Sequence, residues 1–530
     1  MNDQPMYVVK DSNPQKPKSP QKQNIQAAKI VAETIRSTLG PKGMDKLLVN
    51  SLNEITITND GVTILEELEL QHPIAKMIVE IARTQEDEVG DGTTTAVILA
   101  GELLSKAESL LDRKIHPTII TKGFLLAAEK ARTLLLEKAT DIDITDKIQL
   151  EQIVKTAMTG KGAEVAKDVL AKIVVEAVLT SKDKRHIAVQ KQVGKSIEHS
   201  RIVQGLILDK VKVHPDMPDK IADAKIALLN CALEIRDTET DAKISITNPA
   251  QMQDFLSQEE LMIKTLTDTI IASGANVVFC SKGIDDLAQY FLAKAGIIAV
   301  RRMRLSDMER ISRATNAKTV FDVKDLSSSA LGTGTVEEIT EHETFLQITK
   351  TANNNVATIF VSGGTQHVAD EAMRAIEDAV GDVFAVLQSK KIVPGAGAIE
   401  MELAKELAVF SKSLSGREQL AALAFAESLE IVPRTLAQNA GLDPIDVITE
   451  LYAAHEAGEV SAGLDIITGK KIDALKAGIV EPINVKLQAI ASATEVANMI
   501  LRIDDVIATS AEPDPQMQQG GPNVNFPPGM

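Results

Sequence analysis

From Asn24 apolar residues recur at helical spacing through IQAAKIVAETIRSTL, and the pattern stops at Gly40-Pro41, where a helix end and a loop are expected. KLLVNSLNEITITNDGVTIL then reads as two short strands about a turn at Asn53-Glu54, with Ile55 and Ile57 in alternation. Residues 73–139 predict three or four amphipathic helices. The pattern is mixed over 146–213. Between 214 and 365, short β-rich runs (KIALLN, KISIT, NVVFC, GIIAVRR, KTVFDV and VATIFV) alternate with helical stretches, the signature of an α/β domain. Helical periodicity returns near His367 and runs to Ile507, broken by a Gly-rich turn at Gly395. Residues 1–22 and the tail from Ala511 are polar and Pro-rich and read as disordered. The order helical, mixed, α/β, mixed, helical is nearly palindromic. It predicts a multidomain α and α/β protein whose two ends pack together, with the middle inserted.

Composition narrows this picture. The 530 residues allow about three domains. Hydrophobic residues make up 44%, but aromatics only 3% and Trp is absent, so the cores must be built from Ala, Val, Ile and Leu. A formal charge of -17 disfavours nucleic acid and anionic membranes as partners. The N-terminus has no apolar signal core, and no run reaches the ~18 apolar residues that span a bilayer. Cys231 and Cys280 are the only cysteines and read as reduced thiols, and the His residues show no ligand spacing. A soluble, cytoplasmic protein is expected.

A phosphate-binding Walker loop is missing: Gly194-Lys195-Ser196 has its ending, but Val189 stands where the first Gly belongs. The stretch DEVGDGTTTAVILAGELL offers another route. Gly90 and Gly92 admit close backbone approach to an anion, and a helix starting at Thr93-Thr94-Thr95 presents N–H groups, a positive dipole end and hydroxyls. Asp91 repels phosphate unless Mg²⁺ lies between them. The alternative is an ordinary N-cap on a core helix. Three other stretches are open to two readings in the same way. Leu39-Gly40-Pro41-Lys42-Gly43 is a helix stop or a phosphate-side turn; Asn59-Asp60-Gly61 is a plain turn or an acidic site; KIVPGAGAIE is a loop or a second anion cradle.

Taken together, TLGPKGMDKLL, TITNDGVTIL, GDGTTTAVILAGELL, VPGAGAIEMELA, NAGLDPIDVI and RIDDVI resemble the group II chaperonins, and among them the archaeal thermosome subunits, relatives of the eukaryotic cytosolic chaperonin. The resemblance runs from about Gln23 to Ala508. It implies a mostly helical equatorial domain with a β-hairpin (23–145 and 401–510), a small mixed intermediate domain (146–213 and 366–400), and an α/β apical domain with a helical protrusion (214–365). It further implies two stacked rings of identical or paralogous subunits, ATP hydrolysis with Mg²⁺, and a built-in lid that encloses non-native proteins. On this resemblance Leu39, Gly40 and Pro41 contact the nucleotide, and Asp91 holds Mg²⁺. Gly92, Thr93, Thr94 and Thr95 cradle phosphate, and Asp60 is a second acid beside the γ-phosphate. Thr159, Gly160 and Lys161 sense that phosphate, Asp378 orients the attacking water, and Gly397 and Glu481 lie near the nucleotide. From the residues alone, Asp378 is a solvated helix acid among Glu371, Glu377 and Asp382, and Lys161 a surface lysine in a turn. Residues 248–270 resemble the protrusion, making Met252, Phe255, Leu256, Leu261 and Met262 candidates for client or lid contacts; the alternative is packing within their own domain.

Three features depart from the family pattern. The glycine turn reads Gly395-Ala396-Gly397 rather than three glycines, the tail lacks Gly-Gly-Met repeats, and the hairpin turn has Asn53-Glu54 in place of a Gly. A methyl at Ala396 would crowd the nucleotide if that backbone needs positive φ; the expectation is that the position tolerates Ala with a slight shift in affinity. A ring or filament that uses nucleotide only to assemble is a rival function. A small-molecule phosphotransferase is another, but no second polar constellation suggests an acceptor pocket.

Overall fold

The computed structural model describes residues 20–50, 53–68, 70–234, 249–340, 343–353 and 355–505. Pro20, Gln21 and Lys22, expected in the disordered leader, instead form the first turn of the helix Pro20–Arg36, where the fixed φ of proline suits helix entry. Residues 1–19 and the whole of 511–530 lie outside the described residues.

The first core is helical and draws on both ends of the chain. Helices Pro20–Arg36, Pro73–Glu88, Thr93–Asp112 and Pro117–Lys138 pack with Ala398–Ser411, Glu418–Leu429 and Ile483–Arg502 around buried Ile, Leu, Val and Ala. With few aromatics available, small residues let helix backbones approach. A Cβ on Gly101 would fall 2.4 Å from Ala32 Cβ, and one on Gly123 2.5 Å from Ala421 Cβ. Phe124 and Phe425 meet edge to face at 5.8 Å across the two halves. Two of the scattered histidines are caps: the His72 and His116 rings accept the N–H groups of Ile74 and Thr118, each just before a proline at the helix start. The strands Lys46–Val49 and Ile55–Thr58 form an antiparallel hairpin, and Asn53 supplies a left-handed turn residue at φ 60°.

The second core combines helices Lys147–Met158, Lys167–Ser181 and Gln366–Ser389 with a three-stranded sheet. In that sheet Ala357–Gly363 lies between Ile187–Val193, parallel, and Arg201–Gln204, antiparallel. The VATIFV run therefore belongs to this sheet and not to the larger one formed by the other middle strands. Among the described residues the larger sheet has seven strands, ordered Leu206–Leu208, Thr344–Thr349, Gly332–Thr340, Lys220–Leu229, Val277–Cys280 and Ile298–Val300, with Thr319–Val320 beside Lys220–Leu229. Alternate residues of its central strands enter different cores: Ala227, Leu229, Val278 and Cys280 on one face, Ile226, Leu228, Val277 and Phe279 on the other. The KISIT run lies outside the described residues.

Helical pattern near the C-terminus hides one hairpin. Ala462–Asp465 and Lys470–Asp473 pair antiparallel. Asp465 accepts from Ile467 N–H and Thr468 Oγ1–H, and Gly469 turns with φ 71°. A four-residue strand carries too few positions to show its own period against flanking helices.

Candidate functional site

One helix start and several chain reversals converge where the first two cores meet. The helix Thr93–Asp112 begins at Gly92, with left-handed φ of 81° and no side chain capping its first turn. The Thr93, Thr94 and Thr95 N–H groups have no intrahelical acceptor and carry the positive end of the dipole. Both glycines of the turn are required. A Cβ on Gly92 would fall 2.7 Å from Val485 Cγ1, and Gly90, at φ 95°, would bring one within 3.1 Å of Gly381 Cα. Buried Gln85 holds the turn: its Nε2 donates to the Asp91 carbonyl at 2.8 Å and the Val485 carbonyl at 3.2 Å.

Asp60 caps the short helix Gly61–Glu67, its Oδ2 accepting from the Thr63 N–H at 2.8 Å and hydroxyl at 2.7 Å. The turn is pressed onto the threonines, since a Cβ on Gly61 would lie 2.7 Å from Thr94 Oγ1. Asn59 Nδ2 donates to the Gly160 carbonyl at 2.9 Å. This ties in the loop Thr159-Gly160-Lys161, which closes the helix Lys147–Met158. Gly160, at φ 84°, rests on the next reversal: a Cβ there would be 2.7 Å from the Gly40 carbonyl and from Pro41 Cα. Leu39 packs on the first core, and Asn439 Nδ2 donates to the Arg36 carbonyl at 3.1 Å and the Leu39 carbonyl at 2.9 Å. Thr159 donates its hydroxyl proton back to the Lys155 carbonyl at 2.6 Å, so that donor is committed to the helix end.

Lys161 is the charge at the centre. Its Nζ lies 2.5 Å from Asp378 Oδ2 and 3.6 Å from Asp91 Oδ1. Asp378 projects from the middle of the helix Gln366–Ser389, which packs so closely on the Gly90 turn that a Cβ on Gly381 would fall 2.8 Å from the Val89 carbonyl. Burial pushes the Asp378 carboxyl above the usual range; Lys161 pulls it back, and the nearby Asp91 and Asp60 raise it further. Burial also opposes the Lys161 ammonium, but Asp378, Asp91 and Asp60 together hold it above its ordinary value. The Lys161 ammonium thus donates to a carboxyl of raised basicity. One turn further on, Asp382 is 3% exposed with Oδ1 unpartnered; burial first, then Asp91, raise it strongly.

Gly395-Ala396-Gly397 joins the strand Lys391–Pro394 to the helix Ala398–Ser411. Ala396 does have positive φ, 56°; its methyl faces Gly463, where an added Cβ would lie 2.8 Å from it, and the Ala396 carbonyl accepts from Leu464 N–H at 3.0 Å. Gly397 begins the helix with φ 76°. The strand Val480–Pro482 pairs antiparallel with Lys391–Pro394, setting Glu481 opposite Val393. A Cβ on Gly395 would be 2.9 Å from Glu481 Oε1.

The acids and the cradle fit a hard divalent cation beside phosphate. Carboxylate oxygens outnumber the one lysine, and Asp382 leaves a buried oxygen without a partner. Among the described residues no three His, Cys, Asp or Glu side chains enclose a metal by themselves. Mg²⁺ is held by one or two carboxylates plus substrate phosphate oxygens, and Asp91 beside the cradle is a carboxylate of that kind.

The sequence signature of the TCP-1/cpn60 chaperonin family matches residues 31–511. The chain belongs to the TCP-1/cpn60 chaperonin family. This chaperonin is 54% identical over 499 residues to the thermosome subunit of Methanopyrus kandleri, with 92% of each chain covered. It is 55% identical to the thermosome subunit beta of Archaeoglobus fulgidus, again over 92% of each chain, and 53% identical to that of Methanothermobacter thermautotrophicus over 96% of each. It is thus a chaperone subunit of the group II chaperonin kind, a family of ATP-dependent chaperones that assemble as oligomers. No helix among the described residues is long and apolar enough to cross a membrane.

The candidates for client or lid contacts lie on the helix Pro249–Ala272. Leu261 and Met262 are 64% and 58% exposed, while Ile263, Thr267 and Ile270 of the same helix are buried. The side chains of Met252, Phe255 and Leu256 lie outside the described residues. Sequence reasoning missed Gln85, Asn439, Asp382 and Lys486. Gln85 and Asn439 act through single amide contacts to distant backbone, and nothing local marks them. Lys486, a lysine on the apolar face of a helix, was a visible anomaly in INVKLQAI.

Proposed function

We propose that this cleft binds Mg-ATP and hydrolyses it, and that hydrolysis drives closure of a double-ring chaperonin with a built-in lid around non-native proteins in the cytoplasm. The observation that carries this is the Asp378–Lys161 pair. A helix rooted in the second core delivers a basic carboxylate to the mouth of a phosphate cradle built in the first. On this reading 23–145 and 401–510 form the equatorial domain, 146–213 and 366–400 the intermediate domain, and 214–365 the apical domain. Support comes from the shared helical core of both chain ends.

The residues divide the work as phosphoryl transfer requires, by positioning and charge neutralisation. The N–H groups and hydroxyls of Thr93, Thr94 and Thr95 receive phosphate oxygens, and Gly92 keeps the approach open. Leu39, Gly40 and Pro41 wall the nucleotide, with Gly397 and Glu481 towards its nucleoside end. Asp91 would hold Mg²⁺, which supplies neutralisation of the phosphate charge when bound. Lys161 is shared between Asp378, Asp91 and incoming phosphate. As Lys161 turns to the γ-phosphate, Asp378 is released to orient a water and accept its proton; the water oxygen bonds to the γ-phosphorus and the bond to the β,γ-bridging oxygen breaks. Asp60 stands beside the γ-phosphate. Leu261 and Met262, with Met252, Phe255 and Leu256, offer apolar surface to clients or to the lid.

The test joins particle mass to function. The purified chain is expected to run in native mass measurement as a multi-subunit particle, to release phosphate from Mg-ATP, and to refold a denatured enzyme with ATP but not with a non-hydrolysable analogue. A particle of one or two subunits, or refolding indifferent to hydrolysis, would overturn the reading.

A further inference from the structure

Asp382 is the acid of the cleft to which the division of labour gives no task. It is 3% exposed, and among the described residues its Oδ1 has no hydrogen-bond partner. On the helix Gln366–Ser389 it stands four residues after Asp378 and three before Ala385, so the three share one face. That face is pressed on the Gly90 turn. A Cβ on Gly381 would fall 2.8 Å from the Val89 carbonyl, and Ala385 packs with Val89 and Val485. An apolar side chain would suit such surroundings. A desolvated carboxylate is unfavourable there unless a positive charge meets it.

The backbone shows which group it is set against. Gly90 and Gly381 touch: a Cβ on either would lie 3.1 Å from the other's Cα. Asp91 follows the first glycine and Asp382 the second. Two carboxylates rooted in different cores therefore flank a single backbone contact. Of the charged groups around Asp382, Asp91 acts on it most strongly, ahead of Lys161, Asp378 and Glu481. Lys161 is the one cation among these groups. It is already committed to Asp378 at 2.5 Å and shared with Asp91 at 3.6 Å. Asp382, Asp91 and Asp378 thus divide one lysine between them. A hard divalent cation suits such a place, because it takes up to two carboxylates together with phosphate oxygens.

We propose that Asp382 is a second carboxylate ligand, beside Asp91, for the divalent cation that accompanies the nucleotide. The proposal rests on the cleft being the Mg-ATP site. It separates the two acids of the helix Gln366–Ser389: Asp382 serves the metal, and Asp378, one turn away on the same face, is left to serve the water. It also gives the metal a second role. Asp91 belongs to the turn that opens the helix Thr93–Asp112, and Asp382 to the helix of the second core, so shared ligation ties the two cores together. Without the cation the same two carboxylates repel across the Gly90–Gly381 contact.

Mn²⁺ serves as the probe, titrated into the assembled protein with ADP present and followed by electron paramagnetic resonance. The free-ion signal gives the affinity, and isotopically labelled water gives the number of waters on the bound ion. Asp382→Asn is expected to weaken Mn²⁺ by about tenfold or more, since loss of a supporting group alone costs metal sites that much. The bound ion should gain one water. Asp382→Val, which suits the apolar surroundings, carries the same expectation if the Asn variant does not assemble. The rise in thermal midpoint on adding Mg-ADP should be smaller in either variant than in wild type. Unchanged Mn²⁺ affinity overturns the proposal. So does weakened affinity with the same number of bound waters, the mark of a charge that acts only at a distance. If wild type with ADP takes up no Mn²⁺ and releases no phosphate from Mg-ATP, the Mg-ATP reading falls and the proposal with it. If wild type does both and the variants bind Mn²⁺ as tightly, the proposal falls alone.

Discussion

Replacing Asp378 by Asn is the most direct trial of the proposed division of labour. The amide keeps the shape of the side chain and removes its charge. Lys161 then loses the partner at 2.5 Å but keeps Asp91 at 3.6 Å, so its ammonium is not stranded. Folding should change little, because the lost attraction is offset by relief of repulsion from Asp91 and Asp60, which burial makes severe. Nucleotide binding should persist, since the Gly92–Thr95 turn is held by Gln85 and not by Asp378. Turnover should fall by about 10²–10⁴-fold, the usual contribution of a positioned base, or about 3–5 kcal/mol on the barrier. Nucleotide affinity by calorimetry and single-turnover phosphate release separate the two effects. The wild-type rate should also show an acid limb above the ordinary carboxylate range: the base must be ionised, its folded value is raised, and activity is lost as pH falls through it. A variant that hydrolyses ATP within about threefold of wild type would refute the assignment.

Gln85→Leu keeps the volume but unpairs the Asp91 and Val485 carbonyls; a loss of about 2–3 kcal/mol in stability and weaker Mg-ATP binding are expected by denaturation and titration. Glu402, fully buried, is opposed by burial but held at about 2 by Lys138, His455 and Lys405. Its folded value is depressed, so its stabilisation is present above 4.5 and is lost as pH falls from there towards about 2. Glu402→Gln should therefore be destabilised by about 3 kcal/mol at neutral pH and by progressively less across that acid window, as read by denaturant midpoints. Gly381→Ala places a Cβ 2.8 Å from the Val89 carbonyl and 3.1 Å from Gly90 Cα, both backbone. It should lower kcat about tenfold or more with ATP affinity retained; an unchanged kcat would show that the helix need not seat there.

Much of this was open to pattern reading because single elements carry it. The glycines and threonines of GDGTTT announce a helix start with unpaired donors, and Gly90 and Gly92 do take left-handed φ. The nested order of blocks is mirrored by one core that joins Phe124 to Phe425. What stayed hidden depends on partners far apart in sequence. Asp378 looks like a solvated helix acid until the fold sets it against Lys161, and only resemblance to a family drew it out. Gln85 and Asn439 are ordinary polar residues until their acceptors, residues 91, 485, 36 and 39, are in place. Ala396 carried a local warning about its methyl, but the direction of that methyl is set by Gly463, in a hairpin that helical periodicity masked.

The contact of Gly381 with Gly90 has a mechanical consequence. The helix Gln366–Ser389 is a single rod of 24 residues, and this contact would serve as the fulcrum of any tilt. Its N-terminal arm, from Gln366 to Gly381, is about 22 Å long, whereas Asp378 is only about 4.5 Å from the pivot. A tilt of about 10° would then swing Gln366 by about 4 Å while moving Asp378 by about 1 Å. Gearing of this kind lets a reacting geometry good to an ångström be engaged or broken by a large, easily driven excursion of the far end, and transmits a small step at the phosphate outward, enlarged, into the sheet where the rod is anchored.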